Sequence, residues 1–145
     1  MDVWDLTGET RREQIKELML EIESKEKKKK DCNIIVAGDF NTVRKKDYRY
    51  DVNGISSWKL VSDEHFRVFN YELTQDLELL ELNGFEDSFT RSKKYFPPHF
   101  TVWTGTVVDF FFLSKNFGLE IMGSYVHYNH ISDHLPLILD LQKKY

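Results

Sequence analysis

Three short segments carry the side chains of this chain best suited to chemistry. Asp39 and Asn41 lie two residues apart in Gly38-Asp39-Phe40-Asn41, which follows a short β-branched run. Residues two apart on extended backbone point the same way. Asp109 sits inside Val108-Asp109-Phe110-Phe111-Phe112-Leu113, where every neighbour is apolar. A buried carboxylate without a partner is costly, so Asp109 needs a donor from elsewhere in the fold. Ser132-Asp133-His134 immediately precedes a further apolar run. Carboxylates and an imidazole gathered at strand ends are the inventory of metal-assisted hydrolysis. Singly, each motif has a plainer meaning: Asp-X-Asn is common, Ser-Asp-His is usually a capped turn, and Asp109 alone could cap one.

Other candidates are weaker. His99, His127 and His130 lack a cysteine or acidic partner at zinc spacing and read as surface or core. Trp103 lines a substrate cleft or packs as a core aromatic. Arg44, Lys45, Lys46 and Arg49 either touch a polyanionic backbone or belong to a solvated loop. The run Lys25-Glu26-Lys27-Lys28-Lys29-Lys30 reads as a solvated connector, with phosphate binding as the alternative.

These groups need strands and helices to hold them. Ile15, Leu18, Met19 and Ile22 fall at i, i+3, i+4 and i+7, which predicts a helix from Thr7 or Gly8 to Ser24. Asn33 to Ala37 predicts a strand closed by Gly38, and residues 42–63 an irregular loop. A second helix is predicted over Phe66 to Leu82, stopped by the left-handed cap that Asn83-Gly84 suits. Four strands follow, at Thr101 to Thr104, Val107 to Leu113, Leu119 to Tyr128 and Leu135 to Leu141. The strands around Phe110 and Leu137 are apolar on both faces and call for cover on both sides. The two helices can cover one face; the pattern names nothing for the other.

Composition bounds the rest. At 145 residues, with 41% hydrophobic and 30% charged, the chain is one domain, neither disordered nor membrane-spanning. No run approaches the ~20 apolar residues of a bilayer span. Aromatics at 14% imply a substantial core, and a net charge of -4 argues against binding nucleic acid by bulk charge. The single cysteine, Cys32, excludes an intramolecular disulfide and suits a reducing, intracellular compartment.

In their order, these segments resemble the endonuclease/exonuclease/phosphatase superfamily, the DNase I-like phosphoesterases. The matching pieces are Gly38-Asp39-Phe40-Asn41, Gly84-Phe85-Glu86-Asp87-Ser88-Phe89, Thr101-Val102-Trp103-Thr104, Val108 to Ser114, and Ser132-Asp133-His134-Leu135-Pro136-Leu137. The opening Met1-Asp2-Val3-Trp4-Asp5 with Gly8-Glu9-Thr10-Arg11 resembles the stretch after the family's Thr-His-Leu strand. The resemblance therefore spans residues 1–145 but only the C-terminal half of the family domain. It implies an α/β fold of the four-layer sandwich type, here a truncated half with one mixed sheet and about two helices.

The resemblance also implies roles. Asp39 would hold and deprotonate the attacking water, and Asn41 would orient that water and bond a phosphate oxygen. His134 would stabilise charge on the pentacovalent phosphorus while Asp109 fixes its ring. Asp133 would help hold a divalent cation, Mg²⁺ or Mn²⁺, and Trp103 would touch substrate. The implied activity is in-line hydrolysis of a phosphodiester or phosphomonoester, with nucleic acid among the candidate substrates. Two departures stand out. The family's early Asn, its metal-binding glutamate and the histidine before Met1 have no counterpart here, and Val107 replaces a frequent basic residue. The alternative is a catalytically silent half-domain that associates with another chain, or with its own copy, through an exposed sheet.

Overall fold

The computed structural model describes residues 8–26, 33–42, 76–92, 100–102, 107–129 and 131–144. Helix α1 (Gly8–Glu26) runs two residues beyond the predicted end. Its apolar stripe turns inward: Ile15, Met19 and Ile22 are buried and Leu18 packs beside them. Exposed pairs such as Lys25 Nζ to Glu21 Oε1, 3.1 Å apart, decorate the other side. Such surface pairs contribute little, so the buried stripe is what fastens α1.

Helix α2 (Asp76–Leu82) is the described part of the second predicted helix; residues 66–75 and most of the predicted loop lie outside the described residues. Leu77 and Leu80 are fully buried. The predicted cap forms. Gly84 takes φ 84°, its N–H donates to Glu81 O, and the Phe85 N–H donates to Leu80 O. That paired pattern satisfies the last carbonyls of the helix and needs a residue tolerant of positive φ at Gly84.

Among the described residues the strands form two antiparallel sheets, not the single mixed sheet expected. In the first, β3 (Asp109–Leu113) lies between β1 (Ile35–Asp39) and the two-residue β2 (Glu86–Asp87). The second pairs β4 (Glu120–Val126) with β5 (Leu137–Gln142). The connection from β4 to β5 simply returns the chain alongside itself, so the last strand pairs locally instead of crossing into the first sheet. A short helix α3 (Ser88–Arg91), capped by Asp87 accepting from Thr90 N–H, joins the sheets. Its Ser88 Oγ lies 2.6 Å from Ser124 Oγ of β4 in a buried contact. Both β2 and α3 went unforeseen because their few residues carry no periodicity.

The doubly apolar β3 finds its cover. Phe110 and Phe112 face α1 and α2 in a core with Ile15, Met19, Leu77, Leu80 and Phe85. On the other face Leu113 packs with Phe117 and Ile121 and against Leu139 and Leu141 of the second sheet. The cover that the sequence pattern left unnamed is therefore the β4–β5 sheet, which reaches the Leu113 end of β3. Arg91 ties the turn after β3 down, donating to the carbonyls of Ser114, Lys115 and Phe117. Because Phe112 has no exposed surface, Phe112→Ala is expected to cost about 3–5 kcal/mol in urea unfolding. A loss within 1 kcal/mol would contradict the placement of this ring at the centre of the core.

Candidate active site

The ladder between β1 and β3 sets the site. Its register places Asp39 directly opposite Asp109, one residue pair beyond Gly38 and Phe110. Residues opposite one another share a face. Phe110 and Phe112 take the helix side, so the two carboxylates share the other face with Phe111 and Leu113. Phe40 continues the alternation: its N–H donates to Val108 O, and its ring meets Phe112 edge-on with centroids 5.5 Å apart. Packing of this one ring into the core leaves Asp39 and Asn41 on either side of an anchored residue.

Past the strand end the backbone turns sharply. Asn41 adopts φ 47°, a left-handed conformation that Asn tolerates better than most residues. Its N–H donates to Asp39 Oδ1 at 2.8 Å. Asp39 and Asn41 are thus coupled by a turn closed on the carboxylate, not by the two-residue alternation of a strand.

His134 reaches the same face from the loop before β5. Its Nδ1 lies 3.0 and 3.2 Å from the two Asp109 carboxylate oxygens, and its Nε2 lies 3.7 Å from Asp39 Oδ2. The imidazole therefore stands between the two opposed carboxylates. Its main chain is held as well: the His134 N–H donates to Ser132 Oγ, and His134 forms a β-bridge with Val102. Side-chain exposure grades inward, from 36% at His134 and 34% at Asp39 to 16% at Asp109.

The electrostatics follow from this arrangement. Burial pushes the Asp109 carboxyl above the usual range. The Thr101 hydroxyl and the His134 hydrogen bond and charge pull it back only in part, and Asp39 pushes it further up. Burial works against the His134 imidazolium, but the hydrogen bond to Asp109 and the charges of Asp109, Asp39 and Asp133 outweigh it and raise its pKa. Both raised values act in one direction on stability. The folded chain holds each proton more tightly than the unfolded chain, so stability falls as pH climbs. The Asp109 share is lost from the ordinary carboxylate range upward, and the His134 share from about 6.5 upward.

Asp39, Asp109 and His134 offer one ligand atom each within 4.8 Å of one another, a set able to hold a metal ion. Asp133, the expected ligand, stands outside this cluster; it is exposed and accepts from Ser132 Oγ at 3.1 Å. Trp103, His99 and His130 lie outside the described residues. His127 is exposed, with its main-chain N–H donating to Pro136 O. A cavity of about 260 Å³ opens between α1 and β1, lined by Arg11, Gln14, Ile15, Leu18, Asp39 and Asn41 among others, and meets the cluster at Asp39. Sequence reasoning missed Thr101 and its link to Asp109. The residue opens a predicted strand, and a threonine at a strand start is too common to single out.

The model of the Endonuclease/Exonuclease/phosphatase family matches residues 4–134. The chain belongs to the endonuclease/exonuclease/phosphatase family. Neither the curated proteins nor the solved structures yield a match. The matched span includes every member of the cluster, so the site of this endonuclease/exonuclease/phosphatase protein is built from family sequence throughout. The fold agrees with that membership: α/β, with two antiparallel sheets and a few helices. No helix among the described residues is long and apolar enough to cross a membrane.

Replacing Asp109 by Asn keeps an acceptor for Nδ1–H while removing the charge. Asp109→Asn is expected to move the His134 titration down toward the ordinary histidine value, read from the ring Cε1 proton by NMR in metal-free buffer. An unmoved titration would contradict the pairing.

Proposed function

We propose that this chain is a divalent-metal-dependent phosphoesterase that cleaves phosphate esters by in-line attack of water. The observation that carries the reading is the imidazole of His134 held between Asp39 and Asp109 at 3.7 and 3.0 Å. Asp39, at the open side of the cluster, accepts a proton from the attacking water. Asn41, tied to Asp39 through its own N–H, stands next to that water and orients it. Asp109 occupies Nδ1 of His134 and so selects which ring nitrogen faces outward. Nε2 is left to donate to a phosphoryl oxygen as negative charge develops there. The cavity beside Asp39, walled by Ile15 and Leu18 and carrying Arg11, gives the ester's organic group a place.

The donor set fits a divalent cation. Two carboxylates suit a hard divalent cation such as Mg²⁺ or Mn²⁺. The carboxylates of Asp39 and Asp109 would hold the ion, both nitrogens of His134 being committed to Asp109 and the phosphoryl oxygen, and the exposed Asp133 adds negative charge nearby. When bound, such an ion offsets the charge of the phosphate and lowers the pKa of its water.

One observation favours a second reading, association through the sheet. Among the described residues β1 is paired on one side only, by β3, and Ile35 at its start is 41% exposed. An open strand edge invites pairing with another chain. Sedimentation of the purified chain separates the readings, since association without hydrolysis leaves only the second.

The test is hydrolysis of bis(p-nitrophenyl) phosphate and p-nitrophenyl phosphate with Mg²⁺ or Mn²⁺. EDTA is expected to abolish the activity. Asp39→Ala and His134→Ala are each expected to lower kcat by about 10²–10⁴. The rate should hold above the ordinary histidine range before falling, because the pKa of His134 is raised. Hydrolysis that resists EDTA, or that survives both substitutions, would contradict the proposal.

A further inference from the structure

We infer that Thr101 is the positioning residue that holds the Asp109 carboxylate and the His134 ring in register with each other. The inference goes beyond the hydrolytic reading and rests on it only for its kinetic arm.

Thr101 has no exposed surface. A threonine hydroxyl has one proton to give and two lone pairs to receive, and here both lone pairs are used. Oγ1 accepts from the Val108 N–H at 3.0 Å and from the Asp109 N–H at 3.2 Å. The hydroxyl proton remains for the Asp109 carboxylate, which as an anion can only accept and whose charged form Thr101 favours. One side chain thus fixes both the backbone where β3 begins and the carboxylate it presents.

The main chain of the same residue reaches the histidine. The Leu135 N–H donates to Thr101 O at 2.7 Å, and Val102 bridges His134. Thr101 is therefore bonded by its side chain to Asp109 and by its carbonyl to the residue after His134. Asp109 and His134 lie 25 residues apart, on a strand and on a loop of different sheets. Their 3.0 Å contact depends on how those two segments are set against each other, and Thr101 touches both. A valine would fill the same space while depriving the Val108 and Asp109 N–H groups of this acceptor and leaving the carboxylate to His134 alone. A serine would keep the hydroxyl and both bonds it accepts.

The experiment uses the full chain with Thr101→Val and Thr101→Ser. The first readout needs no activity: the downfield Nδ1 proton of His134 in ¹⁵N-labelled protein. It is expected in the wild type and in Thr101→Ser and lost in Thr101→Val. The second is kinetic, with Mn²⁺ and bis(p-nitrophenyl) phosphate. Thr101→Val is expected to lower kcat about 10²-fold, the scale of a misplaced reacting group, with KM nearly unchanged, and Thr101→Ser to restore it. A Thr101→Val protein that keeps the proton resonance would overturn the inference, as would a Thr101→Ser protein that loses it. If Thr101→Val does not fold, hydrogen exchange in the wild type decides. Protected Val108 and Asp109 amides support the inference and rapid exchange overturns it. A wild type with the resonance but no hydrolysis would sink the phosphoesterase reading and leave the positioning role standing.

Discussion

Two carboxylates face each other across one antiparallel ladder, and the site is built around that repulsion. Asp39 and Asp109 are register partners of β1 and β3. Like charges directly opposite on one face of a sheet destabilise it, so such a pair persists only where donors or cations meet it. The imidazole of His134 stands between them, Thr101 Oγ1 holds the Val108 and Asp109 N–H groups, and the Asn41 N–H caps Asp39. The same geometry that threatens the ladder makes an acidic, proton-rich point at which a phosphate and a divalent ion can meet.

The rest of the fold serves to keep that ladder in place. β3 carries Phe110 and Phe112 into the helices on one side and Leu113 into the second sheet on the other. A one-residue slip of β3 against β1 would turn the aromatic rings outward and the carboxylate inward. Burial of these rings therefore fixes the register that sets Asp109 opposite Asp39. Phe40 adds a second lock, since its ring packs on Phe110 and Phe112 from the segment between Asp39 and Asn41. On the far side Arg91 and the Ser88–Ser124 contact hold the two sheets together, so that the loop before β5 delivers His134.

Much of this was legible in the residues. The stripe Ile15, Leu18, Met19 and Ile22 located α1, Asn83-Gly84 located the end of α2, and Asp109 in its apolar strand announced the need for a partner. His134 proved to be that partner. What local pattern could not disclose was spatial. The division into two sheets depends on how strands are paired over long separations, and β2 and α3 are too short to show a period. Asn41 is linked to Asp39 by a left-handed turn, which alternation along a strand does not foresee. Asp133 was expected as a ligand from the resemblance alone; its exposed carboxylate accepts from Ser132 Oγ, while Asp39, Asp109 and His134 converge. Thr101 matters through three hydrogen bonds to segments distant in the chain, which no spacing rule encodes.

The central claim is that Asp39 and His134 work as one unit on one phosphate. A double-mutant cycle in kcat tests it most directly, with Asp39→Ala, His134→Ala and the double variant assayed on bis(p-nitrophenyl) phosphate with Mn²⁺. Groups that act as a unit are strongly non-additive, so the double variant should be little slower than the worse single one. Losses that multiply would contradict the account, because they would mean that the two residues act independently.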